Sequence, residues 1–302
     1  MKIIILLSVY NGAGFIDQQL DSIRKQDIEA EIAVYVRDDG SIDNTREIVN
    51  AWADRLQVIW ADSSRNLGAA QSFMYLLRTA PEADYYAYCD QDDYWYPDKL
   101  SRAVRQLEKY GQSMPVLYFA NSRLVDRDLE PLNATASPAE PIISIGAQLV
   151  CGNCQGSTMV MNRRLCRLLI EKDIKQIVMH DLTTMLYAVA FGTVIYEKEP
   201  SMDYRQHEGN VESTLKKGLA SRFRQTYRRW IKNRGIMSKQ AEELVEKCEE
   251  EISSEDAEFC NKVRQYKSSI AAKVYLLKIA PRYCIHKAAV RSFRIRVLCN
   301  LY

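Results

Sequence analysis

The segment Tyr85–Trp95, YYAYCDQDDYW, runs a strand-like aromatic stretch straight into three carboxylates, Asp90, Asp92 and Asp93. Like charges at that spacing repel, and a strand end has no structural need of them. A divalent cation removes the repulsion, because hard cations take oxygen ligands. Set at a strand end, such an ion is suited to hold a diphosphate. An acidic surface turn has the same look in isolation, so the weight falls on what the rest of the chain aligns with this run.

The elements that must position these carboxylates alternate strand and helix. Ile3–Val9 is a continuous apolar run, as in a strand covered on both faces. Ile16, Leu20 and Ile23 follow at helical spacing. Ile32–Val36 reads as a second strand, ended by Asp38-Asp39-Gly40-Ser41. Asp43 or Asn44 can cap the next helix, with Ile48, Val49 and Trp52 inside. Leu56–Trp60, a helix marked by Ala70, Phe73, Met74 and Leu77, the strand Tyr85–Cys89, and a helix opened by Pro97 with Leu100, Val104 and Leu107 complete the series. This order predicts an α/β fold with a mainly parallel sheet and helices on both faces. Ligands then bind beyond the carboxyl ends of the strands, where Ser8–Gly12, Asp38-Asp39 and Asp90–Asp93 should meet.

The stretch from Met114 to Glu199 is less regular: strands over Val116–Asn121, Ile142–Val150 and Thr193–Tyr196, a loop over Asn133–Pro141, and a helix at Leu165, Leu168 and Leu169. Beyond Val211 the pattern turns helical and basic. Leu219, Phe223, Tyr227, Trp230 and Ile231 share one face, and Phe259, Val263, Tyr266, Ile270, Val274 and Leu277 form a longer stripe.

Composition narrows the classes. The chain has 302 residues, 47% apolar and 26% charged, as in an ordinary globular protein. The net charge of +2 hides a split: 21 Lys/Arg against 29 Asp/Glu up to Asn210, then 20 against 10. An acidic body with a basic tail suggests two jobs. The start, MKIIILLSVYNG, is too short for a signal-peptide core and lacks a cleavage pattern, and no run approaches a membrane span. Eight cysteines in such a length do not make a disulfide framework. These signs predict an intracellular protein with reduced thiols. Gly12-Ala13-Gly14 carries Asp17 where a dinucleotide fingerprint needs glycine. Cys151-Gly152-Asn153-Cys154 has no second pair at zinc spacing.

Four ordered motifs, LLSVYNG (Leu6–Gly12), VRDDGSIDNT (Val36–Thr45), NLGAAQSF (Asn66–Phe73) and YCDQDDYWYPDKL (Tyr88–Leu100), resemble a family 2 glycosyltransferase with the GT-A fold. His180-Asp181, Tyr204–His207 and Asn210 extend the likeness to the bacterial rhamnosyltransferases of surface polysaccharide synthesis. The resemblance covers roughly residues 1–210, which it makes the catalytic domain, with 211–302 a basic helical extension. It implies that Asp39 accepts the nucleobase imide hydrogen, with the backbone of Val9, Tyr10 and Asn11 on the base and Asn66 and Gln91 also at the donor. It implies that Asp90 lies near ribose and metal, that Asp92 is the direct ligand of Mg²⁺ or Mn²⁺, and that Asp93 tunes it. Asp181 is the general base of an inverting transfer, in which one carboxylate suffices; the alternative is a helix cap. His180 either orients the site or packs. Arg205 and His207 serve the diphosphate or the metal, the alternative being a plain surface loop. Trp95 and Tyr96 either line a sugar pocket or wedge helix against sheet.

The resemblance further implies a nucleotide-sugar donor, dTDP-L-rhamnose before UDP-galactose or UDP-glucose, and a glycan acceptor, usually lipid-linked. The basic tail then suits an anionic membrane, placing the protein in the cytoplasm against the inner face of the cell membrane. Packing on the body or pairing in a homo-oligomer is the alternative. Nucleic acid is not an expected partner, since the acidic body offers no matching face. Nucleotidyl transfer is disfavoured because the loop after the first strand, Asn11–Phe15, has no lysine or arginine. A catalytically inactive glycan- or membrane-binding scaffold is disfavoured by the joint presence of Asp39, Asp92 and Asp181.

Overall fold

A computed structural model describes residues 1–302 except 64, 138, 153, 208–229, 232, 249 and 285. Asn210, where the sequence divides the chain, lies outside the described residues, as do Leu219, Phe223 and Tyr227 of the first basic stripe.

Strand β1 (Lys2–Val9) lies at the heart of the sheet because nearly every residue in it is apolar. Its alternate side chains serve two cores, as the two-residue period of a strand requires. Ile3, Ile5, Leu7 and Val9 face α1 (Ile16–Arg24), α2 (Thr45–Ala51) and α4 (Lys99–Leu107). Ile4 and Leu6 face the other way, toward α3 (Ala69–Thr79), α6 (Arg163–Glu171) and α7 (His180–Phe191). Each fully buried aliphatic chain contributes about 2 kcal/mol by leaving water.

Parallel pairing joins β1 to β2 (Glu31–Asp38) and β4 (Tyr85–Cys89), and β2 to β3 (Gln57–Trp60). Val9 stands opposite Asp38, and Leu7 opposite Cys89, so the three carboxyl ends finish together. Past β4 the sheet becomes mixed: β8 (Val160–Asn162) runs antiparallel between β4 and β6 (Val116–Val125), and β6 pairs parallel with β9 (Thr193–Arg205). The strand order is β3-β2-β1-β4-β8-β6-β9-β5, with β5 at Tyr94–Trp95 and β7 (Pro131–Thr135) beside β6.

Four sequence expectations need correction. Residues Ile145–Val150 form a helix, α5, instead of a strand. Ser144 caps it by accepting from the Ala147 N–H at 3.1 Å. The late strand runs on from Tyr196 to Arg205, and β7 occupies part of the expected loop. The long C-terminal stripe is two helices, α9 (Ser254–Gln265) and α10 (Ile270–Tyr283), divided where Ser269 caps the second by accepting from Ala272 N–H at 3.2 Å.

The described C-terminal helices, α8 (Ile236–Cys248), α9, α10 and α11 (Lys287–Leu298), join the same core as α3 and α5–α7. Leu244, Phe259, Val263, Tyr266, Leu276 and Phe293 are buried in it. Gly146 permits the closest approach, since a Cβ there would lie 2.4 Å from the Tyr283 ring. The final residue, Tyr302, is fully buried, with its hydroxyl donating to the Leu149 carbonyl. So much of the tail's apolar surface packs on the body. Among the described residues, no helix is long and apolar enough to cross a membrane.

Candidate active site

The rim at the carboxyl ends of β1, β2 and β4 is built from charged side chains held by fixed hydrogen bonds. Asp39 directly follows β2 and is buried. Its Oδ1 accepts from Arg37 and from the Leu67 N–H (2.7 Å), and its Oδ2 accepts from the Gly68 N–H at 2.8 Å. A carboxylate has about four acceptor positions, so Oδ2 retains capacity for one more donor. Asn66 Nδ2 donates to the Asp39 carbonyl at 2.6 Å. Arg37, also buried, continues to Ser72 Oγ (3.0 Å) and the Arg65 carbonyl (2.6 Å).

The chain leaving β1 is clamped from two sides. Asp39 N–H donates to the Val9 carbonyl at 2.8 Å. Gln91 pairs with the backbone of Tyr10 as a strand would, accepting from its N–H at 2.8 Å and donating to its carbonyl at 3.0 Å. Asn11 N–H reaches Ser41 Oγ (2.9 Å), and Asn11 Oδ1 accepts from Ile42 N–H (2.9 Å). Asn11 adopts φ 49°, a left-handed conformation that asparagine tolerates. A Cβ on Gly12 would fall 2.2 Å from Gln91 Oε1, so a larger residue there would push Gln91 out of this clamp. The Tyr10 side chain is left exposed beside this clamp.

The acidic run occupies the centre of the rim. Antiparallel pairing of Tyr94 with Asp203 brings residues 205–207 alongside Asp92 and Asp93. His207 Nε2 lies 2.8 Å from Asp92 Oδ2, and its ring stacks on Phe15 with centroids 4.5 Å apart. Arg205 is only 2% exposed. Its Nε donates to the Asp92 carbonyl (2.8 Å), and its terminal nitrogens donate to the Arg127 carbonyl and Gln18 Oε1 (2.6 Å). The backbone N–H of Arg205 donates to Asp93 Oδ1 at 3.3 Å. The guanidinium expected at the diphosphate therefore grips the acidic loop from behind.

Burial and crowding raise the carboxyls of this run. Asp90 is pushed up to about 7 by burial and by the charges of Asp92 and Asp181, against a hydrogen bond from Ser157. Asp93 is raised well above the usual carboxylate range for the same chief reason, burial, and its Oδ2 has no partner among the described residues. Beneath them lies a buried cation absent from the sequence expectations. Lys99 Nζ donates to the Ser157 carbonyl (2.8 Å) and Ser201 Oγ (3.4 Å), and sits 4.6 Å from the Trp95 ring centre. Burial pulls its amine down to about 7, while Cys89 and Asp93 oppose the shift. Trp95 is fully buried and wedges α4 against the sheet; Tyr96 donates to Asp203 Oδ1 at 2.7 Å.

Asp181 arrives from the opposite side. It occupies the first turn of α7, whose cap position is Met179, and its Oδ1 accepts from the Leu182 N–H at 2.7 Å, so it also satisfies a donor of that turn. A helix N-terminus still favours its negative charge. Asp181 is half-buried and close enough to Asp90 to raise it. The turn Gly156–Thr158 fills the space between the acidic run and α7: a Cβ on Gly156 would lie 2.4 Å from His180 Nε2 and 3.3 Å from Asp181 Cβ. His180 itself packs, stacked on Phe73 (4.0 Å) and edge-on to Tyr88 (4.7 Å).

The rim thus unites Val9–Asn11, Asp39, Asn66, Asp90–Asp93, Asp181, Arg205 and His207. Ser157 and Lys99 went unread. The only signals were a small polar run at 156–158 and a lysine beside an apolar helix stripe. As a metal centre the arrangement differs from the expected trio. Among the described residues, no three His, Cys, Asp or Glu side chains form a ready cluster. The side chains that could hold a cation are the pair Asp92–His207, with Asp90 alongside. The carboxylate oxygens suit Mg²⁺ or Mn²⁺, and the crowding of raised carboxyls is what a cation would relieve.

Comparison with known proteins places the chain in a family. The family model for Glycosyl transferase family 2 matches residues 4–169. A dTDP-rhamnosyl transferase, RfbG, of Shigella flexneri is 26% identical over 68% of this chain and 72% of its own. The Escherichia coli glucosyltransferase WfaP, which uses UDP-Glc on a GlcNAc-diphosphoundecaprenol, is 28% identical over 53% of this chain and 60% of its own. Uncharacterised Mycobacterium proteins are 28% identical, but the match spans only 45% of their length. Among solved structures, S. aureus TarS 1–349 superposes with a TM-score of 0.61 at 15% identity, covering 100% of this chain and 89% of that one. A Pyrobaculum calidifontis mannosyltransferase with GDP-Man and Mn²⁺ gives 0.51 at 18% identity, covering 100% and 87%. With an α/β glycosyltransferase fold and a family match across more than half its length, this chain belongs to glycosyl transferase family 2.

Proposed function

We propose that this glycosyltransferase moves a sugar, with inversion, from a nucleotide-sugar to a glycan acceptor. The observation that carries the reading is the meeting of Asp181 with the Asp90–Asp92 pair at one rim. The acceptor hydroxyl oxygen attacks the anomeric carbon while Asp181 takes its proton. The bond from that carbon to the diphosphate oxygen breaks, and the nucleoside diphosphate leaves with the electron pair. Asp39, through its open acceptor position, and the clamped backbone of Val9–Asn11 receive the base, with Asn66 and Gln91 holding those segments. Arg205 acts from beneath, fixing Asp92 and Asp93. Asp92 and His207 would hold Mg²⁺ or Mn²⁺ with Asp90 beside them. When bound, the ion would offset charge on the departing diphosphate.

The likeness to RfbG favours dTDP-L-rhamnose as donor, and the likeness to WfaP keeps UDP-glucose or UDP-galactose as the second reading. A lipid-linked acceptor at the cytoplasmic face of the membrane fits both. Thermal stabilisation by these donors, with Mn²⁺ and with chelator, tests the proposal. A ligand at a hundred times its Kd adds about 2.7 kcal/mol of stability. Asp92→Asn is expected to abolish the metal-dependent part. Donor binding that ignores both chelator and substitution would remove the metal from the reading, and the absence of stabilisation by any nucleotide-sugar would remove the donor.

A further inference from the structure

We propose that the hairpin of α10 and α11 is a docking face for an anionic lipid surface, a site that deepens the membrane part of the proposed function. From Phe259 to the last residue the chain has ten Lys/Arg and no Asp or Glu. The two helices run antiparallel: Lys273 Nζ meets Asn300 Oδ1 at 3.0 Å, and Arg294 Nε donates to the Leu277 carbonyl at 2.8 Å. Their inner residues, Leu276, Ala280, Phe293 and Val297, are buried in the body. Yet the outer surface is not plainly polar. Ile270 is 83% exposed, Leu298 58%, Val274 44% and Ile295 40%.

Between the helices lies a cavity of about 600 Å³, with Pro281, Val290 and Ile295 supplying apolar wall and Lys287, Arg291 and Arg294 supplying charge. Arg282 pairs with Glu255 at 3.4 Å, but no described carboxylate lies within ion-pair distance of Lys278, Lys287, Arg291 or Arg294. Cations around exposed aliphatic side chains match a bilayer interface, where phosphate headgroups meet acyl chains. The exposed aliphatic side chains among the cations set this face apart from a duplex-binding surface, which needs charge alone to contact phosphates.

The placement has a consequence for catalysis. Tyr283, at the end of α10, rests on Gly146 of α5, and Cys151 Sγ lies 3.6 Å from the Tyr283 carbonyl. One residue on, Gly152 (φ +59°) touches Leu182, the neighbour of Asp181. A lipid surface seated on the hairpin is thus a short packed path from the candidate base, which suits an acceptor carried by that surface.

Flotation of the full chain with vesicles of phosphatidylcholine plus phosphatidylglycerol, against phosphatidylcholine alone, tests the face. Binding is expected only to the anionic vesicles, falling with salt. Lys287→Glu with Arg291→Glu should weaken it at least about tenfold. Ile270→Ser, at a nearly fully exposed position, should weaken it less without touching the fold. Donor hydrolysis in vesicle-free solution should persist in every variant. If hydrolysis is absent while vesicles bind, the transferase reading fails and the docking face stands. Equal binding by the double variant, no binding by the unmodified chain, or capture of duplex DNA in place of vesicles would overturn the docking face.

Discussion

The acidic rim and the basic hairpin handle charge in opposite ways. On the rim, Asp39, Asp93, Arg37, Lys99 and Arg205 are buried, and each is held by oriented donors or acceptors from distant parts of the chain. On the hairpin, Lys287, Arg291 and Arg294 stand in solvent beside exposed aliphatic side chains. Desolvated charges interact strongly and are costly to disturb, whereas exposed ones are screened and cheap. The contrast teaches where specificity resides. The rim is preorganised for one small ligand and one reaction, and the hairpin is suited to a broad surface with no fixed geometry.

The sharpest way to break that contrast is Asp181→Asn. It removes one negative charge from the rim with little change of shape. Donor affinity should remain near normal while turnover falls by about a thousandfold, the range of a lost general base. Exchange of one hairpin charge should leave vesicle-free turnover intact. Steady-state kinetics with measured donor binding checks both. Near-normal turnover in Asp181→Asn would exclude it as the base.

Lys99→Met carries the comparison to stability. The lysine is wholly buried, and its amine donates to the Ser157 carbonyl beneath the acidic run. Leaving that buried carbonyl without its donor costs about 2 kcal/mol. The matching change on the hairpin, Lys287→Met, should stay within about 0.5 kcal/mol, as exposed substitutions do. Urea unfolding of both variants measures the difference. Equal midpoints would mean that the buried amine contributes no more than a surface one.

How much of this was legible follows the same division. The parallel half of the sheet was readable because β1, β2 and β4 are buried on both faces and end in polar runs, and it brought Asp39, Asp90 and Asp92 to one rim. The antiparallel half was less so. Ile145–Val150 is apolar throughout and buried all round, and periodicity cannot separate such a segment from a strand. β9 passes through Glu197-Lys198-Glu199-Pro200, which reads as loop, yet its pairing with β6 survives by shifting register beyond Ala120. Arg205 looked like a phosphate ligand because residue type alone cannot tell an inward guanidinium from an outward one. Lys99 and Ser157 act through contacts 58 residues apart in the chain, a relation no local pattern reveals.

His180 gives the subtlest test. Its imidazole is buried against Phe73 and Tyr88, both ring nitrogens lack partners among the described residues, and burial pulls its pKa down to about 3. In the folded chain the ring therefore stays neutral through mildly acidic pH, while in the unfolded chain it takes up a proton below about 6.5. The unfolded state then binds more protons, so stability is lost as pH falls from about 6.5 toward about 3. The slope attributable to this one residue approaches about 1.4 kcal/mol per pH unit. His180→Gln cannot titrate, and the difference between its unfolding free energy and that of the unmodified chain, followed from pH 7 to about 4, isolates the contribution. Parallel curves would mean that the imidazole finds a proton acceptor or solvent in the folded state.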